Sequence, residues 1–329
     1  MTMPPPSPPT ASRLRPAALP EIQGDPVQPP VQVTEDTDIS TLSTAQVFDL
    51  NQSLLDEATG VTRPLIDEIA PISALRAEYE KGNPVFVEQI DWLAAKGYHY
   101  IRRTRGDGDC FYRSVAFAYV ERMMHALNPE QAVQKGVAAL KSTLPMLENV
   151  GFQKLVFEDF YDVLESLLLS IVTPQTTGKT LNAVGLLQAF QSPEGKLYQS
   201  ELKRSPPSSS GPIVSNSIVV YLRLLTSAQI RIDPDAFAPF LFHPELGEPM
   251  EVREFCEHFV EAVNKEADHV QMTALSRALQ INVNVAYLDG RNSNGLVDFV
   301  EFRSAPDVNE TPLTLLYRPG HYDILVNSE

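Results

Sequence analysis

The sequence predicts an α+β fold, and three observations predict it. Runs with helical apolar period fill most of the chain from about residue 61 to residue 280. Strand-like alternation is concentrated late, in "INVNVAYLD", "LVDFVEF", "TPLTLLYR" and "HYDILVN". No internal repeat is present, so the pattern is not that of a solenoid. Helical lobes around a small, mostly antiparallel sheet satisfy all three.

Taken in order, residues 1–60 stand apart. Residues 1–30 hold ten of the 27 prolines, and residues 1–60 carry eight acidic and two basic residues. Such a segment buries too little apolar surface to offset its ordering entropy, so a disordered arm is expected, with a reach of about 45 Å. Within it, "STLSTAQVFDLNQSLLDEA" (40–58) has an amphipathic pattern. The globular domain is expected over 61–329.

There "ISALRAEYE" and "PVFVEQIDWLAAKG" read as helices, the second stopped by Gly97. "YHYIRRT" reads as a short strand, followed by a helix from Cys110 to about Ala126. "NPEQAVQKGVAALKSTLPMLENVG" (128–151) and "KLVFEDFYDVLESLLLSIVT" read as one helix each. "SPEGKLYQSELKRSPPSSSGP" (192–212) is a polar, Pro/Ser/Gly-rich insertion expected to be flexible. "SIVVYLRLLTSAQIRI", "PMEVREFCEHFVEAV" (249–263) and "DHVQMTALSRALQ" read as helices, the last feeding the first of the four late strands.

Composition excludes several functions. Hydrophobic residues make up 43% of the 329, enough for a large core, and the net charge is −16. That charge argues against nucleic acid as a partner and suits a basic one. Two cysteines cannot build a disulfide framework, and no secretory leader or membrane span is visible. A reduced, cytoplasmic or nuclear location without membrane contact is expected. "TPQTTGKT" (173–180) lacks the first glycine of a P-loop. No CxxC, HExxH or His pair at helical spacing occurs, so neither a metal nor a cofactor is expected.

The chemistry concentrates in "TRGDGDCFYRSVAFAYVERM" (104–123). Gly106 and Gly108 permit a tight turn with positive φ, whose consecutive N–H groups converge as in an anion nest. Cys110 sits at the start of the following helix, where the macrodipole favours a thiolate. The same N–H groups can hold an oxyanion. An inert buried thiol is the plain alternative, and it is the reading for Cys256 inside "REFCEHF". Of six histidines, His321 closes the conspicuous segment "YRPGHYDILV". On a strand, His321, Asp323 and Leu325 share a face, so Asp323 can accept the second imidazole N–H and fix the tautomer. A surface His/Asp pair is the alternative. Asp268-His269 reads as a helix cap with a packed histidine. Cys110, His321 and Asp323 together make a complete nucleophile, base and orienting set.

At "YIRRTRGDGDCFYRS", "VVYLRLLTS", "EADHVQMTALSRALQINVNVAYLD" and "LLYRPGHYDILV" the chain resembles the otubains, deubiquitinating cysteine proteases of the ovarian-tumour (OTU) superfamily. The resemblance runs from about residue 65 to the C-terminus. It implies a papain-like OTU fold, with Cys110 as nucleophile, His321 as general base, Asp323 as its orienting residue and Asp107 shaping an oxyanion loop that includes Gly108 and Asp109. It further implies a substrate-binding surface with His269, Tyr317 and Gly320. The partners implied are ubiquitin and polyubiquitin chains, chiefly of the proteasome-targeting linkage, and ubiquitin-conjugating enzymes, acted on by a monomer. A non-catalytic module that binds ubiquitin and conjugating enzymes and inhibits chain synthesis is the alternative. Asp109 stands where many relatives carry Asn or another neutral residue, and a carboxylate beside the thiol is expected to oppose thiolate formation.

Overall fold

The computed structural model describes residues 64–174, 178–191, 214–244, 246–290, 294–305 and 310–327. The arm 1–60 and the insertion 192–212 lie outside them. The described chain is built on one six-stranded sheet of order β1-β2-β6-β5-β3-β4. Neighbouring strands are antiparallel except β3 and β5.

The chain enters through β1 (Ile66–Pro71), turns at once into α1 (Ile72–Tyr79), then α2 (Pro84–Ala95) and β2 (Tyr98–Thr104). Asn83 caps α2 by accepting the Val85 N–H, and Pro84 occupies the first helical position, where its missing N–H costs nothing. Gly97, at φ 96°, ends α2 and turns the chain into β2. The helical side follows: α3 (Cys110–Met124), α4 (Pro129–Ser142), α5 (Leu144–Asn149), α6 (Lys154–Ser170), α7 (Ala183–Gln191), α8 (Val214–Ile232) and α9 (His269–Leu279). The chain closes with β3 (Val283–Tyr287), β4 (Asp298–Phe302), β5 (Leu313–Arg318) and β6 (His321–Asn327).

The sheet is covered on both faces. Period-two alternation divides β6 between them: Ile324 joins the large core under α3, α8 and α9, while Leu325 joins Ile72, Leu75, Ile90 and Leu93 of α1 and α2. A strand pinned between two cores cannot slip by one residue without exposing both sets, so the register of β6 is firmly specified. Since His321 and Asp323 stand on β6, so is theirs.

Two expected helices are corrected. The run 128–151 is broken into α4 and α5, because Pro145 has no N–H for the bond to position 141 and its ring clashes with that carbonyl. The hydroxyl of Thr143 at the break donates to the Leu140 carbonyl. The run 249–263 is a single α-turn, Val252–Phe255, passing into a π-turn, Cys256–Val260, where the Glu261 N–H reaches back to the Cys256 carbonyl at 2.8 Å. There the Val260 carbonyl accepts from the Arg223 side chain. β1 and α7 were not expected. β1 carries a register shift between Ile66 and Ile69, so it shows no clean alternation. Among the described residues no helix is long and apolar enough to cross a membrane.

Candidate active site

α3 is buried on every side from Cys110 to Val120, so its first residue is fixed by the core around it. Asp109 occupies the cap position with φ −99°, yet its side chain makes no cap bond. The first-turn N–H groups are therefore left unsatisfied by the cap, and Cys110 stands among them. Cys110 itself is 2% exposed.

The turn before it has two glycines with different reasons. Gly108 lies at φ 75°, and a Cβ there would meet the Asn264 backbone at 2.4 Å. Gly106 is not in the left-handed region; a Cβ there would stand 3.2 Å from His321 Nδ1. The expected positive φ thus holds for Gly108, and Gly106 supplies space. Asp107 accepts the Asp109 N–H at 3.0 Å and the Arg113 guanidinium at 2.6 Å, which closes the turn onto α3.

His321 opens β6 directly after Pro319-Gly320, with Gly320 at φ 76° and His321 paired to Arg318. Its Nε2 lies 2.8 Å from Asp323 Oδ1, which leaves Nδ1 facing Gly106 and the Cys110 thiol. Asp323 is fully buried and saturated. Oδ1 also accepts the Thr104 N–H at 3.0 Å, and Oδ2 accepts Arg318 Nε at 2.9 Å and Nη2 at 2.7 Å. Burial works to lower the His321 pKa, but the Asp323 carboxylate and its hydrogen bond, then the contact with Cys110, outweigh it and push the value up to about 10. Burial works to raise the Asp323 pKa, and the charges of Arg318 and His321 hold it well below the usual carboxylate range.

Helix and strand are tied together one turn beyond the thiol. Ser114, four residues after Cys110 on the same helical face, bonds Thr104 Oγ1 at 2.7 Å, and both hydroxyls reach the Tyr322 carbonyl, at 3.3 and 2.7 Å. Asp109 is engaged as well. Its Oδ1 accepts from Arg223 Nε at 2.9 Å and from the Asn264 N–H at 3.1 Å. The carboxylate expected to oppose the thiolate is therefore ion-paired with a fully buried arginine.

His269 and Tyr317 belong to an aromatic series beside the site. His269 stacks on Tyr287 at 8°, Tyr287 meets Tyr317 at 4.9 Å, Tyr317 meets Tyr322 at 5.2 Å, and Tyr322 stands edge-on to Phe111, the residue after the thiol. The Gly320 N–H points to the Tyr317 hydroxyl at 3.5 Å. Asp268 caps α9 in a capping box and holds His269 Nδ1 at 2.8 Å. Cys256 is packed in a separate small core, where burial pushes its thiol pKa up. Among the described residues no group of three or more His, Cys, Asp or Glu is placed to hold a metal ion.

Arg113, Arg223, Arg318, Thr104, Ser114 and Asn264 were not anticipated. One signal was available. Arg223 interrupts the apolar run "VVYLRLLTSA", and an arginine in the middle of a buried helix demands a buried acceptor.

The family model of peptidase C65, otubain, matches residues 59–202 and 207–327. The ovarian tumor domain-containing deubiquitinating enzyme 1 of Arabidopsis thaliana is 33% identical over 287 residues, covering 84% of this chain and 85% of its own. Human ubiquitin thioesterase OTUB1 is 31% identical over 287 residues, covering 87% and 92%. A chain of the solved complex of h/ceOTUB1, ubiquitin aldehyde and UBC13~Ub superposes with a TM-score of 0.66 at 26% identity, over 88% of this chain and 100% of that one.

Proposed function

The chain belongs to the peptidase C65 otubain family and is a cysteine-type deubiquitinating enzyme, and from that premise we propose that it cleaves polyubiquitin by acyl transfer at Cys110, chiefly at the proteasome-targeting linkage. The observation that carries this reading is His321, held by Nε2 against a saturated Asp323 so that Nδ1 faces the thiol.

In the proposed reaction the Cys110 thiolate attacks the isopeptide carbonyl. Turn and first-turn N–H groups receive the developing oxyanion. The C–N bond breaks as His321 Nδ1–H protonates the departing lysine amine, leaving a thioester. Water activated by the same nitrogen then hydrolyses the thioester and restores the thiol. Asp323 takes no proton; it keeps the imidazole in one tautomer and stabilises the imidazolium. A thiol 2% exposed suits an acyl group that arrives on a slim tail, and ubiquitin ends in two glycines. The proposed acyl-site contacts are Gly108, Asp109 and Asp107 in the loop, with His269, Tyr317 and Gly320 on the substrate side.

A second role is supported by the solved relatives, which hold ubiquitin aldehyde together with UBC13~Ub or UBCH5B~Ub. Binding of charged conjugating enzymes does not require the thiol. One experiment addresses both roles: wild type and Cys110→Ala are incubated with diubiquitins of every linkage, and separately with a chain-synthesis reaction. Wild type alone is expected to cleave, at unchanged Tm, while inhibition of synthesis survives the substitution. Cleavage by Cys110→Ala overturns the acyl-transfer reading, and loss of inhibition in that variant overturns the second role.

A further inference from the structure

Arg223 is an arginine in the centre of α8, 0% exposed and surrounded by Val219, Leu222, Leu224 and Leu225. A guanidinium there is strongly unfavourable unless every donor finds an acceptor. Each of the three nitrogens does so, on the turn before the nucleophile and on the segment 260–265. Nε and Nη2 both reach Asp109 Oδ1, Nη2 also reaches the carbonyls of Gly108 at 3.0 Å and Lys265 at 2.6 Å, and Nη1 reaches that of Val260 at 3.0 Å. Arg223 Cζ lies over the Tyr112 ring, 4.4 Å from its centre, two residues past the thiol. Asn264, itself at φ 60°, completes the ring of contacts: its N–H donates to Asp109 Oδ1, and its amide, turned to donate, reaches the Asp107 carbonyl at 3.1 Å and Asp109 Oδ2 at 3.2 Å.

We propose that Arg223 is a positioning residue for the reaction, and that Asp109 is present as its fixed counter-charge. Because the Gly108 carbonyl is bound to Arg223, the peptide joining Gly108 to Asp109 cannot rotate, and the Asp109 N–H is turned to Asp107. The turn immediately before Cys110 is thereby set from α8, an element outside the loop. The π-turn 256–260 belongs to the same device, since its last carbonyl is one of the acceptors. A planar fork is needed, because one compact ammonium cannot span acceptors on three segments.

The proposal rests on the deubiquitinase reading, so its test includes a readout that does not. Turnover of a fluorogenic amide of the ubiquitin C-terminus gives kcat and KM; alkylation of Cys110 by iodoacetamide, followed by mass spectrometry, reports the thiol without ubiquitin. Arg223→Lys keeps the charge and loses the fork. It is expected to lower kcat about 10- to 100-fold with KM within about 3-fold, while alkylation stays within about 2-fold. Arg223→Gln strands the carboxylate beside the thiol and is expected to slow alkylation at pH 7 by about 10-fold. Adding Asp109→Asn to Arg223→Gln removes that charge. Alkylation and Tm should then recover while kcat stays low. Recovery of kcat with Tm in the double variant, or wild-type kcat in Arg223→Lys, reduces Arg223 to a purely structural role and overturns the proposal. If wild type cleaves no ubiquitin amide, the deubiquitinase reading falls, and the alkylation series still decides: equal rates in wild type and Arg223→Gln overturn the clamp.

Discussion

Gly106 and Gly108 differ by two positions and by the physics that requires them. At Gly108 the backbone is left-handed and a Cβ would meet main-chain atoms of Asn264, which cannot swing aside. At Gly106 the backbone is ordinary and the Cβ would press on the His321 ring. Gly108→Ala is therefore expected to destabilise the fold by more than the ~1–2 kcal/mol of the left-handed conformation alone, and to abolish turnover. Gly106→Ala is expected to keep Tm within a few degrees while kcat falls about 10-fold or more through displacement of the imidazole. Paired melting and turnover measurements check this; equal Tm losses in the two variants would sink the distinction. The sequence disclosed the thiol, the histidine and the aspartate because each has a local mark: a glycine turn, a hairpin dipeptide, a period-two partner. Arg113, Arg223 and Arg318 carry no such mark toward their aspartates: each pair crosses an element boundary, and Arg223 lies 114 positions from Asp109. A lone arginine in an apolar run announces that a buried partner exists without saying where.

At the level of elements, catalysis depends on α3 and β6 being held in register, and the seam between them is polar. Thr104, Ser114 and the Tyr322 carbonyl form a buried triangle beside His321. Thr104→Val keeps the shape and removes the hydroxyl, leaving the carbonyl only the longer Ser114 bond. The expected cost is about 1–3 kcal/mol. Ser114→Ala alone is expected to cost less. The two should couple by about 0.5–3 kcal/mol in a double-mutant cycle, because they share one acceptor; strict additivity in denaturant melts would show that the seam is not a unit. Elements of this kind were readable where one period ran unbroken, as in α2, α8, α9 and the late strands. The break between α4 and α5 was signalled by Pro145, which the apolar period on both sides conceals. The π-turn had no local signal, since its carbonyl is drawn to Arg223, remote in sequence. β1 is one edge of the sheet and half exposed, so it lacks the alternation that marks a buried strand.

For the whole molecule, the site couples stability to pH in opposite directions. The groups facing His321 are Asp323 and Cys110, with Arg318 behind Asp323 and Glu78 behind Arg318. The folded His321 holds its proton to about pH 10, whereas the unfolded residue releases it near 6.5. Its contribution is thus complete below about 6.5 and is lost as pH rises toward about 10. The folded Asp323 ionises well below the 3.8 of an unfolded carboxylate, so its contribution is complete above that value and fades as pH falls. Between these limits the buried ion network is intact in full. Tm is therefore expected to decline from pH 6.5 to 10. The net charge of −16 adds a decline of its own on the alkaline side through self-repulsion, so a falling Tm alone does not identify the histidine. His321→Gln does. It leaves the surface charges untouched and removes the histidine whose proton, ordinarily released near 6.5, is retained to about pH 10, so its Tm should lie below wild type at pH 6.5 and approach it by pH 10. Parallel curves, with a constant offset across that range, would mean that His321 titrates alike in the folded and unfolded chain, and the imidazolium held ready for the departing lysine would be lost from the mechanism with it.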